Sequence, residues 1–199
     1  MPIISFVNRD IRETGQSLSV AAVAAVMAIE HNYRVIAIST DFNDKTLENC
    51  FYNSKQASVT SFLKNTITTD ISNGAEGLIR AFASNRASAD MIKSYTKPIL
   101  KDRLDVLPGL KTTDYKTFVN MANYFSQIAD VANAFYDMVI VDVSQEIPSD
   151  VQMRILNISD LVLVGVNQSL SAINNFLKLK TTEPFFQKSN VVIEIGKYN

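Results

Sequence analysis

The sequence contains one cysteine, Cys50, one histidine, His31, and no tryptophan. A lone cysteine excludes an internal disulfide and suits a reducing cytoplasm. Together with a single histidine it also excludes a zinc cage of the Cys/His type. Lys and Arg together number 19 against 20 Asp and Glu, a net charge of −1. The whole molecule therefore offers no field that would hold nucleic acid or an anionic membrane, although a local patch could. The amino terminus, Met1-Pro2-Ile3-Ile4-Ser5-Phe6-Val7, has neither the basic start nor the cleavage site of a secretory signal. The longest apolar run, Val20 to Ile29, is built mostly of Ala and Val. It falls far short of the ~20 residues that cross a bilayer, so the chain is expected to be soluble and cytoplasmic.

What is present is ordinary globular material. Hydrophobic residues make up 47% and charged residues 20% of 199 residues, enough for one buried core and too few for two comfortable domains. A single domain over residues 1–199 is expected. Short β-branched runs alternate with longer segments of helical period, the pattern of a mostly parallel sheet with helices on both faces. The expected strands are Ile3–Val7, Val35–Ile38, Leu104–Leu107, Met138–Val143, Leu161–Val166 and Val191–Ile195. Expected helices run from Ser17 to about Glu30, Gly77 to Ala83, Ala89 to Tyr95, Thr113 to Phe135, Ser149 to Ile158, and through Leu170, Ile173, Phe176 and Leu177. The first of these helices is apolar almost all round, as for a helix wedged between a sheet and further neighbours. The aromatics from Tyr115 to Phe135 fall at spacings of three and four and read as core.

Ligands of open α/β sheets bind beyond the carboxyl ends of the strands. Three segments lie there: the loop Asn8–Ser17, the turn at Asp41, and Asp142 with the segment after it. The loop has the placement of a phosphate-binding loop, strand then loop then Gly15-Gln16-Ser17 then helix. The working pattern is G-x-x-x-x-G-K-[ST], and the register here is Asp10-Ile11-Arg12-Glu13-Thr14-Gly15-Gln16-Ser17. Gly15 and Ser17 match, while the first glycine is Asp10 and the lysine is Gln16. Glutamine donates a hydrogen bond but has no charge. A unit charge pair at ~4 Å is worth on the order of 4 kcal/mol at a surface site. Its loss from a transition state would slow a reaction by roughly three orders of magnitude. Asp10 and Glu13 add negative charge where phosphate would lie, and Arg9 or Arg12 could offset it or replace the lysine. Asp41 and Asp142 are the acidic positions that such a site uses for Mg²⁺ and water, and Ser17 would be their hydroxyl partner.

Taken together, these segments resemble the ParA/MinD family of P-loop ATPases, the deviant Walker A group that positions plasmids, cargo and division machinery in bacteria. Gly15-Gln16-Ser17 stands where that family has Gly-Lys-Ser/Thr, and Ile38-Ser39-Thr40-Asp41 where it has a strand ending in Asp-x-Asp. Asp105-Val106-Leu107-Pro108-Gly109 is similar to its third strand and turn, Tyr136–Asp142 to its Walker B strand, and Ser159–Val164 to the strand after it. The family's second lysine would fall at Ile11. The resemblance implies ATP and Mg²⁺ as cofactors, held by Arg9, Arg12, Gly15, Gln16 and Ser17 and by Ser17, Asp41 and Asp142. It also implies a protein partner, homodimer formation and recruitment to a cell pole or a membrane-bound complex. The loss of both lysines is similar to the TadZ/CpaE-like branch associated with pilus assembly. Family members continue past the strand corresponding to Val191–Ile195, so this chain reads as a shortened form or a fragment of the pattern.

The expectation is thus a non-hydrolysing or weakly nucleotide-binding scaffold, with two alternatives. One is an active ATPase in which Arg12 or Arg9 replaces lysine. The other is a DNA-binding partition protein using Arg80, Arg86, Lys93, Lys97, Lys101 and Arg103. His31 reads as a surface group at a helix end, and Cys50 as a buried, inert thiol.

Overall fold

The computed structural model describes residues 1–8, 15–51, 74–84 and 89–196. In chain order these give β1 (Ile3–Asn8), α1 (Gln16–Ile29), β2 (Val35–Ser39), α2 (Thr46–Phe51), α3 (Ala75–Ala83), β3 (Lys97–Leu100) and β4 (Leu104–Leu107). Next come α4 (Tyr115–Ala122), α5 (Phe125–Phe135), β5 (Met138–Val143), α6 (Ser149–Asn157), β6 (Leu161–Asn167), α7 (Leu170–Thr182) and β7 (Val191–Gly196). The strands form one seven-stranded sheet in the order β3-β4-β2-β5-β1-β6-β7. All neighbours are parallel except β3, which runs antiparallel to β4 at one edge.

Side chains alternate across the pleat, so each strand serves two cores. Ile3 and Val7 of β1 join Val139, Val141, Val162 and Val164 on one face, packed by residues of α3 to α7 such as Phe118, Ile128, Ile155 and Phe176. Phe6 joins Val35, Ala37 and Ile140 on the other, packed by Val20, Ala21, Ala24 and Ala28 of α1 and Leu47 of α2. The two layers are unequal: among the described residues, α3 to α7 cover one face, and α1 with the short α2 covers the other.

Three expectations are corrected. The segment from Thr113 to Phe135 is two helices, because the chain breaks at Asn123 and Tyr124. The Asn123 side-chain amide donates to the Val119 carbonyl at 3.0 Å, a side chain competing with the backbone ladder. Residues Ala89–Tyr95 form a 3-10 helix. The strand β3 was not among those expected, and it contains Pro98. It is tolerated because β3 lies at the sheet edge, and the pairing shifts register between Pro98 and Leu100.

Candidate functional site

The parallel register fixes the site. Asp142, near the end of β5, pairs with Phe6 of β1 on one side and Ser39 of β2 on the other. It therefore shares the face that α1 covers, and the first turn of α1 reaches it. That helix starts at Gly15, whose φ of +73° lies in the left-handed region open to glycine. The adjacent residue, Gln16, donates its side-chain amide to Asp142 Oδ1 at 2.5 Å and to the Val143 carbonyl at 3.1 Å. The residue that stands in the lysine position thus points to the acidic strand end.

Asp142 is 2% exposed. Its Oδ2 and Gln16 Oε1 are both buried without a hydrogen-bond partner among the described residues. Burial raises the Asp142 carboxyl above its usual range, while the nearby Ser17 hydroxyl and the Gln16 amide oppose the rise. Ser17 favours the charged form from close by without reaching Oδ2 in hydrogen-bonding geometry.

Asp41 lies just beyond β2 at the same edge. Burial and then the charge of Asp142 push its carboxyl up to about 6, against the Ser39 and Ser144 hydroxyls, which favour the charged form. Ser39 Oγ donates to Asp41 Oδ2 at 2.9 Å. The two acidic strand ends are held together by Thr40, whose amide and hydroxyl both donate to the Asp142 carbonyl, at 3.1 and 3.0 Å. In return the Ser144 amide donates to the Thr40 hydroxyl at 2.7 Å. The backbone therefore maintains a pair of like charges against their repulsion. Gly109 closes the other side: a Cβ there would lie 2.6 Å from the Asp41 carbonyl oxygen.

An aromatic group flanks the acidic edge. Phe42 lies 4.8 Å from Phe118 and 5.9 Å from Tyr115 between ring centroids. Tyr115 was expected in the core but is 52% exposed, with its hydroxyl donating to the Glu146 carbonyl at 2.7 Å.

The structure thus brings Gly15, Gln16, Ser17, Asp41 and Asp142 to one edge of the sheet. Arg9 and Arg12, and with them Asp10 and Glu13, lie outside the described residues. Sequence reading missed Thr40, Ser144 and Gly109, which hold the edge; only the Pro108-Gly109 turn carried a local signal. It also missed the reach of Gln16 to Asp142, for which pattern matching has no signal.

The donors present fit a hard cation. A buried carboxylate oxygen lacks a partner beside a serine hydroxyl and a second carboxylate, all oxygen ligands of the kind that Mg²⁺ takes. Among the described residues no three His, Cys, Asp or Glu converge to hold an ion, so phosphate or water would have to complete the coordination.

Elsewhere, the basic stretch is partly engaged. Lys93 pairs with Asp102 at 2.8 Å and Lys97 with the buried Glu48 at 2.7 Å, while Arg86 lies outside the described residues. Arg80, Lys101 and Arg103 are exposed. Cys50 is exposed rather than buried. Its thiol donates to the Thr46 carbonyl at 3.3 Å, and partial burial followed by the charge of Asp142 raises its pKa. His31 is exposed beside Tyr33. No described helix is long and apolar enough to cross a membrane.

No family model and no curated protein matches the sequence. Solved structures do. The chain is similar to a ParA family ATPase from Chlorobium tepidum, with a TM-score of 0.71 at 21% identity over 98% of this chain and 73% of that one. It is similar to the MinD cell division protein of Aquifex aeolicus, with a TM-score of 0.58 at 15% identity over 98% of this chain and 69% of that one. A putative plasmid partition protein from Borrelia burgdorferi bound to AMPPNP gives a TM-score of 0.55 at 18% identity, over 98% of this chain and 72% of that one. The fold is therefore the α/β fold of the ParA and MinD ATPases.

Proposed function

We propose that this chain is a positioning or scaffold protein of the ParA/MinD type that binds nucleotide weakly and does not hydrolyse it at the rates of an intact phosphate loop. The observation that carries the reading is the bond from Gln16 to Asp142. In a working loop the residue at this position brings a positive charge to the phosphates. Here it is neutral, and its amide is engaged by the carboxylate that would serve the metal.

Were nucleotide to bind, the Gly15 backbone and the first turn of α1 would face the phosphates as a helix amino terminus does. Ser17, Asp142 and Asp41 would hold Mg²⁺, which supplies charge neutralisation on the phosphates. Gln16 would have to leave Asp142 to reach a phosphate oxygen, and on doing so would contribute one neutral hydrogen bond. The fold likeness supports a role in partition, division or another positioning system. The loss of the loop lysine supports the branch linked to pilus assembly.

The alternative of an active ATPase rests on Arg9 or Arg12. A turnover assay on the parent and on Gln16→Lys separates the two. The reading expects no turnover above the enzyme-free blank for the parent. Turnover in the parent that disappears in Arg12→Ala would contradict it and establish the alternative. The DNA-binding alternative is weakened by the pairing of Lys93 and Lys97 with acidic residues.

A further inference from the structure

The hydrogen bonds of Gln16 fix which way its amide points. Both partners, Asp142 Oδ1 at 2.5 Å and the Val143 carbonyl at 3.1 Å, are acceptors, so the NH2 end faces them and Oε1 faces away. That oxygen is buried with no donor among the described residues, and so is Asp142 Oδ2. Asp142 itself is 2% exposed. Two buried acceptors, on side chains already joined by a hydrogen bond, thus lack the same thing, a donor. Buried polar groups left unpaired in this way are rare, and each costs stability until something pairs it.

The surroundings set the charge of that donor. Ser39 Oγ donates to Asp41 Oδ2, and Ser39 stands beside Asp142 in the register of β2 and β5, so the two carboxylates share one corner of the sheet. Asp44 adds its negative field to both. Among the described residues no ion pair reaches Asp41, Asp44 or Asp142; Arg34, Lys93, Lys97 and Arg154 all pair elsewhere. Three kinds of ligand meet these atoms differently. A phosphate group brings acceptors and negative charge, which leaves both orphaned oxygens unpaired. Mg²⁺ needs six oxygens in near-octahedral geometry, and no three His, Cys, Asp or Glu converge here among the described residues. A primary ammonium is compact, positively charged and has three donors. Two of them match Asp142 Oδ2 and Gln16 Oε1, and the third is left for Asp41 or water.

We infer that the corner formed by Gln16, Asp41 and Asp142 binds a primary ammonium group brought by another molecule, a lysine side chain of a protein partner or a small free amine. Residue 16 stands in the lysine position of the loop pattern. A glutamine there is one donor and one charge short of what the acidic corner accepts, and the ammonium supplies both from outside. Gln16 and Asp41 are half-buried, which leaves an approach at the edge for a slender alkyl stem. The inference rests on the reading that nucleotide binds weakly, and it gives the same edge a ligand of opposite charge.

Titration of n-butylammonium chloride into the nucleotide-free protein, followed by NMR at the Gln16 and Asp142 amides, tests this. Tetramethylammonium chloride at equal concentration has the charge without the donors. Gln16→Lys fills the corner with the chain's own ammonium and Asp142→Asn removes its charge; circular dichroism checks that both variants fold. The expected result is a saturable shift in the millimolar range with butylammonium and none with tetramethylammonium. Binding should weaken by about tenfold or more in each variant. Acetyl-Gly-Lys-Gly-amide then separates the sources: tighter binding than butylammonium supports a partner's lysine, and weaker binding supports a free amine. No saturable shift with butylammonium, equal binding of tetramethylammonium, or Gln16→Lys binding as well as the parent overturns the inference. A shift produced by magnesium chloride and not by the amine also overturns it and gives the corner to a metal. A parent that binds neither the amine nor Mg-ATP defeats this inference alone, whereas tight Mg-ATP binding without amine binding defeats the weak-nucleotide reading with it.

Discussion

Gln16 and Asp142 are 126 residues apart, yet the Gln16 amide donates to Asp142 Oδ1 at 2.5 Å across the carboxyl edge of the sheet. This bond partly satisfies a carboxylate that is buried and has a like charge on the neighbouring strand end. Removing the donor in Gln16→Ala takes the Gln16 bond from a carboxylate whose Oδ2 already has no partner among the described residues. A loss of about 1–3 kcal/mol in urea unfolding at pH 7 is expected, the cost of stranding a buried acceptor. Combining Gln16→Ala with Asp142→Asn should recover much of it. A single variant as stable as the parent would show that the bond contributes nothing.

The Asp41 carboxyl, raised to about 6 mainly by burial and by Asp142, makes stability depend on pH. The folded chain holds this proton more tightly than the unfolded chain, whose aspartate titrates near 3.8. The proton's contribution is therefore fully present below pH ~3.8 and is lost as pH rises through about 6. Asp41→Asn in metal-free buffer should raise stability above pH 6 by about 1–3 kcal/mol and change little near pH 3.5. Because Asp41 and Asp142 titrate as a pair, the slope belongs to both. A parent and variant with parallel stability–pH curves would refute the like-charge account.

Much of the fold was legible in the sequence. The alternation of β-branched runs with helical periods marked six of the seven strands, and glycine and acidic residues at strand ends marked the edge where the site lies. What escaped depended on tertiary context. The four-residue β3 has no alternating apolar run to mark it, and its Pro98 is tolerated only because β3 lies at the sheet edge. The Thr113–Phe135 period ran unbroken through Asn123, whose side chain takes the Val119 carbonyl. Cys50 has no cation close in sequence and read as buried, whereas the fold leaves it exposed on α2. The apolar α1 predicted neighbours on all sides, and among the described residues it packs against the sheet and Leu47 of α2.

Gly109 has little space to spare. In Gly109→Ala the new Cβ would press on the Asp41 carbonyl oxygen at 2.6 Å, and on Ser39 Oγ at 3.1 Å. A destabilisation of about 1–3 kcal/mol is expected, with a shift in the Asp41 titration followed by NMR. Unchanged stability and titration would mean that the β4 turn does not hold the acidic edge.

At the opposite end of the sheet, Tyr136 donates to Asp105 Oδ2 at 2.7 Å, both residues being buried. Burial and then this bond raise the phenol's pKa. Tyr136→Phe strands Asp105 and should cost about 1–3 kcal/mol without altering nucleotide affinity, because the pair lies far from the site along the strands. An effect on affinity comparable to that of Gln16 variants would argue against separate roles for the two ends.

The most direct measurement is calorimetric titration of Mg-ATP into the parent and into Gln16→Lys. Replacing a neutral amide by an ammonium restores a charge pair worth on the order of 4 kcal/mol at its upper end. The account predicts weak or undetectable binding by the parent and clearly tighter binding by the lysine variant. Parent binding as tight as that of Gln16→Lys would contradict it, since the engaged glutamine would then be no obstacle to nucleotide.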